Sequence, residues 1–196
     1  MSYFWDRREE ILAYTAQHLV LVVAATAIAV AIGVPAGVLL TRRPSLALFG
    51  FLIPLPLIGG IGTSTAIVAL IVYALLPILR NTHAGLASVD PAIVEAATGL
   101  GMTDRQRLWW VELPLALPVI LAGVRIATVW SIGLATIAAA IGAGGLGVLI
   151  YRGISIVDNR LILSGAVPAA CLALAADGLF SLLERRWSRR VTRERA

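Results

Sequence analysis

Apolar residues fall into long runs along this chain, and polar positions gather into short islands between them. The runs extend over Leu19–Leu40, Ile61–Leu79, Leu115–Ile141 and Leu161–Leu183. A helix needs about 20 apolar residues to cross a hydrocarbon core about 30 Å thick, and each run is near or above that length. The pattern predicts membrane-spanning helices, with Thr41-Arg42-Arg43-Pro44 stopping the first and Pro118 and Pro168 tolerated or kinking in later ones. Within the first, Gly33, Pro35 and Gly37 offer a kink and a close approach for a neighbour, and Thr26 can bond back to its own helix. Met1 to Gln17 mixes Phe4, Trp5, Ile11, Leu12 and Tyr14 with charges, which suits an interfacial segment. The expected organisation is an external or interfacial segment at 1–18, a transmembrane domain at 19–183 and a basic tail at 184–196.

One stretch does not fit two comfortable crossings. Arg42, Arg43 and Arg80 are expected on one side of the membrane, so the chain must go out and return between Pro44 and Leu79. As continuous helix that stretch reaches only ~54 Å, against ~60 Å for two perpendicular crossings. Pro54, Pro56, Gly59, Gly60 and Gly62 interrupt it further. Ile61–Leu79 can span alone. Ser45–Ile58 is short, and reads as a truncated or re-entrant second helix or as a place where natural chain is absent. The expected fold is all-α, with five spans and a shortened second helix.

Composition agrees with a membrane protein: 59% of the 196 residues are hydrophobic and 14% charged, with mean hydropathy +0.90. Soluble domains carry about 25% charge. The net charge of +5 does not point to nucleic acid, because every basic residue is arginine and the arginines sit at span ends and in the tail. With Arg42, Arg43, Arg80, Arg105, Arg107 and the six tail arginines inside, Arg7, Arg8, Arg152 and Arg160 fall outside. Five crossings then put the N-terminus outside, the tail inside, and the polar stretch Asp90–Pro114 in the cytoplasm.

That stretch, DPAIVEAATGLGMTDRQRLWWVELP, is the longest polar interruption between the spans. Asp90 followed by Pro91 is a helix start. Ala92–Thr98 suits a short helix that Gly99 and Gly101 can end. Thr103 and Gln106 form the two halves of a capping box opening a second short helix. Leu113-Pro114 closes the stretch and begins the next apolar run.

Glu95-Ala96-Ala97, three residues, Gly101, nine residues, Val111, one residue and Leu113-Pro114 resemble the EAA loop of type I, binding-protein-dependent ABC importer permeases. Val111 stands where isoleucine is usual. The flanks Tyr73–Thr82 and Gly142–Gly147 resemble the glycine betaine/carnitine/choline branch. The resemblance implies a permease subunit whose short coupling helix docks on a separate ATPase. It implies a second permease copy or paralogue, ABC ATPase subunits that bind ATP and Mg, an extracytoplasmic solute-binding protein and surrounding membrane lipid. It also implies a bacterial-type cytoplasmic membrane location and a quaternary ammonium solute; an amino acid or another small solute is the alternative. No cofactor is expected in this chain. It lacks lysine altogether, so it has no phosphate-binding loop of the G-x-x-x-x-G-K-[ST] form.

Other candidates are placed by depth. Arg125 lies well inside its span, at ~16 Å above Pro114, and Asp177 lies ~10 Å above Glu184, so an ion pair is within reach, with Arg125 snorkelling alone toward the cytoplasmic headgroups as the competing reading. Trp130 and Tyr151 could offer cation–π contacts along a solute path, with ordinary packing as the competing role. Gly142, Gly144, Gly145 and Gly147 match G-x-G-x-x-G, but no strand precedes them, so a flexible turn on the external face is expected instead of a dinucleotide site, with close backbone packing near the gate as a second role. Tyr151–Arg160 should continue that external loop. Arg80–Val89 reads as a polar connector holding His83, and His18 as a residue at the membrane interface. Cys171 is alone in an apolar run, and no metal site is expected. An intramembrane enzyme would need paired acids, or a nucleophile with histidine, at matching depth; Asp177 is the only acid placed in the core. A mere membrane anchor would need neither glycine hinges nor a coupling stretch.

Overall fold

The computed structural model describes residues 5–42 and 62–193, with side chains described to residue 187. The described residues form helices: α1 (Arg8–Arg42), α2 (Thr63–Ala87), α3 (Pro91–Gly99), α4 (Asp104–Arg107), a π-helical turn (Leu108–Glu112), α5 (Leu113–Ala138), a short 3-10 turn (Ala139–Ile141), α6 (Gly147–Ser155) and α7 (Asn159–Arg193). Among the described residues, four stretches are long and apolar enough to cross a membrane: Arg8–Arg42, Thr63–Ala87, Asp104–Ile141 and Asn159–Trp187. The expected short second helix at Ser45–Ile58 lies outside the described residues.

The core is a three-helix contact of α1, α2 and α5, and it is built from small residues. Ala25, Ala29, Gly33 and Gly37 recur every fourth position on α1 and are buried, as are Ala66, Leu70, Ala74, Ile78 and Thr82 on α2. A side chain at Gly33 would strike Ile78, and one at Gly37 would strike Thr82. In lipid no hydrophobic drive pulls helices together, so close backbone approach through such residues supplies the packing. Ala29, Ala74, Leu75, Ile78, Val124 and Ala127 form the central cluster, and Val22, Ala25, Leu70, Ile132 and Ala135 form the next. Helix α7 packs against α5 and α6. Its outer residues Leu174 and Leu182 stay more than half exposed, as do Val20 and Val23 of α1. Such surfaces suit lipid.

Three boundaries differ from the expectation. Helix α1 starts at Arg8, with no break before Leu19, because neither glycine nor proline interrupts residues 8–32. Its course through Gly33, Pro35 and Gly37 to Arg42 is the expected one. The Arg80–Ala87 half of the expected connector belongs to α2. Thr82, Gly85 and Leu86 are buried there against α1 and α5, so packing overrides local polarity. The Tyr151–Arg160 loop is helical to Ser155, and Asp158 caps α7 by accepting from the amides of Arg160 and Leu161. Thr26 does not bond back to its helix; its buried hydroxyl has no partner among the described residues.

The start of α5 also departs from the expected break at Leu113-Pro114. Helix continues from Asp104 to Ile141 through the π turn, where the Leu113 amide bonds the Leu108 carbonyl. Pro114 has no N–H to offer the Trp110 carbonyl, and its ring would crowd that oxygen. A widened turn one residue earlier relieves both problems without ending the helix.

Candidate coupling and translocation sites

The Asp90–Pro114 stretch folds as its local signals require. Asp90 Oδ1 accepts from the Ala92 amide at 2.9 Å, and Pro91 takes the first helical position. The helix ends as the Met102 amide reaches back to the Ala97 carbonyl at 3.2 Å, with Gly101 at φ 79°. That left-handed conformation suits glycine and reverses the chain. Both halves of the Thr103–Gln106 capping box are present.

Of the site residues expected here, Glu95 and Ala96 are exposed on α3, whereas Ala97 is buried. Val111 and Leu113 are half-buried, and Leu113 packs on the Leu86–Ala116–Ile120 cluster. Pro114 follows the π turn. That turn also presents Trp109 and Trp110, both well exposed, and Trp110 with Leu100, Gly101, Met102 and Gln106 borders a shallow groove of about 240 Å³.

Behind this surface lies an ionic cluster that sequence reading missed. Glu112 is only 8% exposed. Its carboxylate accepts from Arg42 Nη2 at 3.1 and 3.0 Å and from Arg107 Nε at 2.9 Å. Arg107 also pairs with Asp104 at 3.0 Å and donates to Thr98 Oγ1 at 3.0 Å. An acid at the head of an apolar run was the available signal, since such a charge demands partners. The partner Arg42 lies 70 residues away in sequence. Next to Arg42, Thr41 Oγ1 and His83 Nδ1 share a hydrogen bond of 3.0 Å, which places His83 on a helix contact and not in a connector.

Within the bundle, Arg125 and Asp177 meet. Arg125 Nε donates to Asp177 Oδ1 at 2.6 Å, and Nη1 reaches Glu184 at 3.4 Å. Glu184 was expected only as the start of the tail. Arg125 and Asp177 line an open groove of about 330 Å³ with Ala122, Ile126, Val129 and Trp130. Trp130 is 58% exposed at its edge. Tyr151 lies elsewhere, on α6.

At the opposite end, Gly142, Gly144 and Gly145 all have φ near +80°. The turn they form is closely packed, the second of the two roles expected of it. Gln17 Oε1 accepts from the Gly145 amide at 3.3 Å. A Cβ at Gly145 would come within 2.9 Å of His18 Nδ1. Gly147 opens α6 directly against the Thr136 carbonyl and Ala139. His18 is fully buried and its Nε2 donates to the Ile132 carbonyl at 3.1 Å, so it is a packing residue of the bundle rather than of an interface. Arg152 pairs with Glu10 at 2.9 Å across the same end.

Comparison with known proteins adds the following. Residues 38–189 match the family described as "Binding-protein-dependent transport system inner membrane component". The chain is 47% identical to the osmoprotectant import permease protein OsmW of Salmonella typhimurium, over 94% of each chain. It is 38% identical to the glycine betaine/carnitine/choline transport system permease protein OpuCB of Bacillus subtilis, over 95% of this chain and 92% of that one. The Salmonella alignment extends over 203 positions, more than the 196 residues here, so that relative has residues with no counterpart in this chain. Among solved structures, the inward-facing MetNI methionine ABC transporter superposes with a TM-score of 0.80 at 24% identity, covering 90% of this chain and 95% of that one. That likeness concerns the fold alone.

Proposed function

Because the chain belongs to the family of inner membrane components of binding-protein-dependent transport systems, we propose that it is the permease subunit of an ATP-driven importer for a small quaternary ammonium osmoprotectant. Glycine betaine, choline and carnitine are the solutes in question, as the names of its relatives suggest. ATP and Mg are bound by separate ATPase subunits. A second permease copy or paralogue completes the path, an extracytoplasmic binding protein delivers the solute, and lipid surrounds the spans.

The ATPase contact is the exposed face of α3, carrying Glu95 and Ala96. Gly101 frees the turn behind it, and Val111, Leu113 and Pro114 join it to α5. The observation that carries this reading is a two-turn helix capped at its start and tied by Thr98 to Arg107, yet open on its outer face. A docking element must be rigid and unoccupied in this way. The stretch belongs on the cytoplasmic side by its arginines, Arg105 and Arg107 within it and Arg42 bonded to Glu112. The tail shares that side, and the N-terminus lies outside.

The groove of Arg125, Asp177 and Trp130 faces the solute path. Its aromatic face suits a trimethylammonium group, and its charges suit a zwitterion. The pinned turn of Gly142, Gly144, Gly145 and Gly147 closes the outer end. The test is uptake of labelled glycine betaine, choline and carnitine by cells co-expressing the chain with its ATPase and binding protein. Glu95→Arg should abolish uptake while the protein still inserts and matures normally. Unchanged uptake would remove α3 from the mechanism, and uptake of an amino acid in place of the three solutes would overturn the substrate assignment.

A further inference from the structure

The motif spacing leaves one position open between Val111 and Leu113. The structure puts its most connected carboxylate there. Glu112 holds Arg42, the last residue of α1, with both oxygens, and holds Arg107 with one. Arg107 in turn grips Thr98 on α3. Thr98, Arg107, Glu112 and Arg42 thus form an unbroken chain of hydrogen bonds from the coupling helix to the first span. The neighbouring Thr41–His83 bond fastens the same end of α1 to α2. Helix α3 has tertiary contacts with α4 and the π turn, and the two arginines add a polar route from it to the end of α1.

The arrangement is suited to transmitting force. Both guanidiniums are partly buried, Arg107 the more so at 15% side-chain exposure against 33% for Arg42. A carboxylate shared by two guanidiniums sets their positions relative to each other, since paired charged hydrogen bonds are short and directional. The π turn places Glu112 where both can reach it. A displaced α3 pulls Arg107, and Arg107 cannot move without moving Glu112 or giving up its charged hydrogen bond to that carboxylate.

We propose that Glu112 is a positioning residue that makes α1 move with α3, so that the motion of the docked ATPase reaches the first span. This rests on the reading of α3 as the ATPase contact. Loss of the joint should uncouple transport from hydrolysis and leave hydrolysis itself running.

The experiment uses the complete complex, with ATPase, partner permease and binding protein, reconstituted in proteoliposomes. ATP hydrolysis and glycine betaine uptake are measured on one preparation. Glu112→Gln keeps the shape but removes the charge, and Arg42→Gln removes the far partner from a more exposed site that tolerates its loss. Each should lower uptake per ATP about fivefold or more. The double variant should be no worse than the stronger single one, because one joint can be broken only once. Arg42→Lys, which keeps the charge but loses the fork, should recover part of the ratio. An unchanged ratio in both single variants, or additive losses in the double, would overturn the proposal. So would uptake and hydrolysis falling in proportion, which is what mere loss of folded complex produces. Should Glu112→Gln fail to assemble, the Arg42 pair decides the matter alone. A failure of the docking reading would appear separately, as an unaltered response to Glu95→Arg.

Discussion

Gly123→Ala tests whether the crossing of α2 and α5 is as close as the structure has it. A Cβ at Gly123 would lie 2.5 Å from Asn81 Cβ and 2.9 Å from the Pro77 carbonyl oxygen. The first is about 1 Å inside ordinary carbon–carbon contact. Neither neighbour can yield cheaply: one is backbone, and the other is the first atom of a side chain whose Nδ2 donates to that same carbonyl at 2.8 Å. The helices must therefore part at a point where Ile78 and Val124 are buried between them. Overpacking of this kind costs about 1–3 kcal/mol, and disturbing the Asn81 bond adds about 1 kcal/mol. The gain in helix propensity from glycine to alanine returns about 1 kcal/mol, which leaves a net loss of roughly 2 kcal/mol. Gly133, ten residues further along the same helix, has nothing within 4 Å of its Cβ position. Gly133→Ala should therefore stabilise by up to about 1 kcal/mol. Reversible unfolding in mixed micelles of increasing SDS, followed by helical circular dichroism, compares the two with the parent protein. Opposite signs are the expected result. A Gly123→Ala protein as stable as the parent would mean that the crossing is looser than described, and the small-residue account of the core would fail with it.

Two further outcomes follow from the coupling stretch. Thr103→Ala removes the side-chain half of the capping box and should destabilise the start of α4 by about 1 kcal/mol. Faster hydrogen exchange at the Gln106 amide, which Thr103 Oγ1 accepts at 3.4 Å, reports it, and unchanged exchange would deny the cap any role. A cysteine introduced at the exposed Thr98 position should react with a membrane-impermeant thiol reagent only in inverted vesicles; labelling in sealed, right-side-out cells would reverse the topology.

Local chemistry made part of this chain legible. The Asp90–Pro91 start, the Thr103–Gln106 box and the Gly101 turn each depend on residues within a few positions of one another. Their signals survive whatever the rest of the chain does. The depth of Arg125 and Asp177 could also be read, because helical rise converts sequence distance into height within a span. Packing decided the remainder. The polar letters of Arg80–Ala87 read as a connector, yet Thr82 and Gly85 are the contacts that α1 and α5 require, and the helix continues. Gly142–Gly147 reads as a turn open to close packing, but the residues that pack on it, Gln17 and His18, lie 128 and 127 residues away, counted from Gly145. Glu112 sits at the unspecified position of its motif, and its worth depends on Arg42.

The sequence by itself determined that this is a helical membrane protein, which apolar runs form its four long described helices, and that a capped helix–turn–helix interrupts them. These properties arise from hydrophobic length and from hydrogen bonds between near neighbours, both written in consecutive residues. Only the tertiary structure decided which carboxylate joins which arginine, which glycines are pressed against a neighbouring helix, and where helices run on through polar stretches. Those depend on how the spans cross, and a crossing brings together residues that the chain keeps far apart.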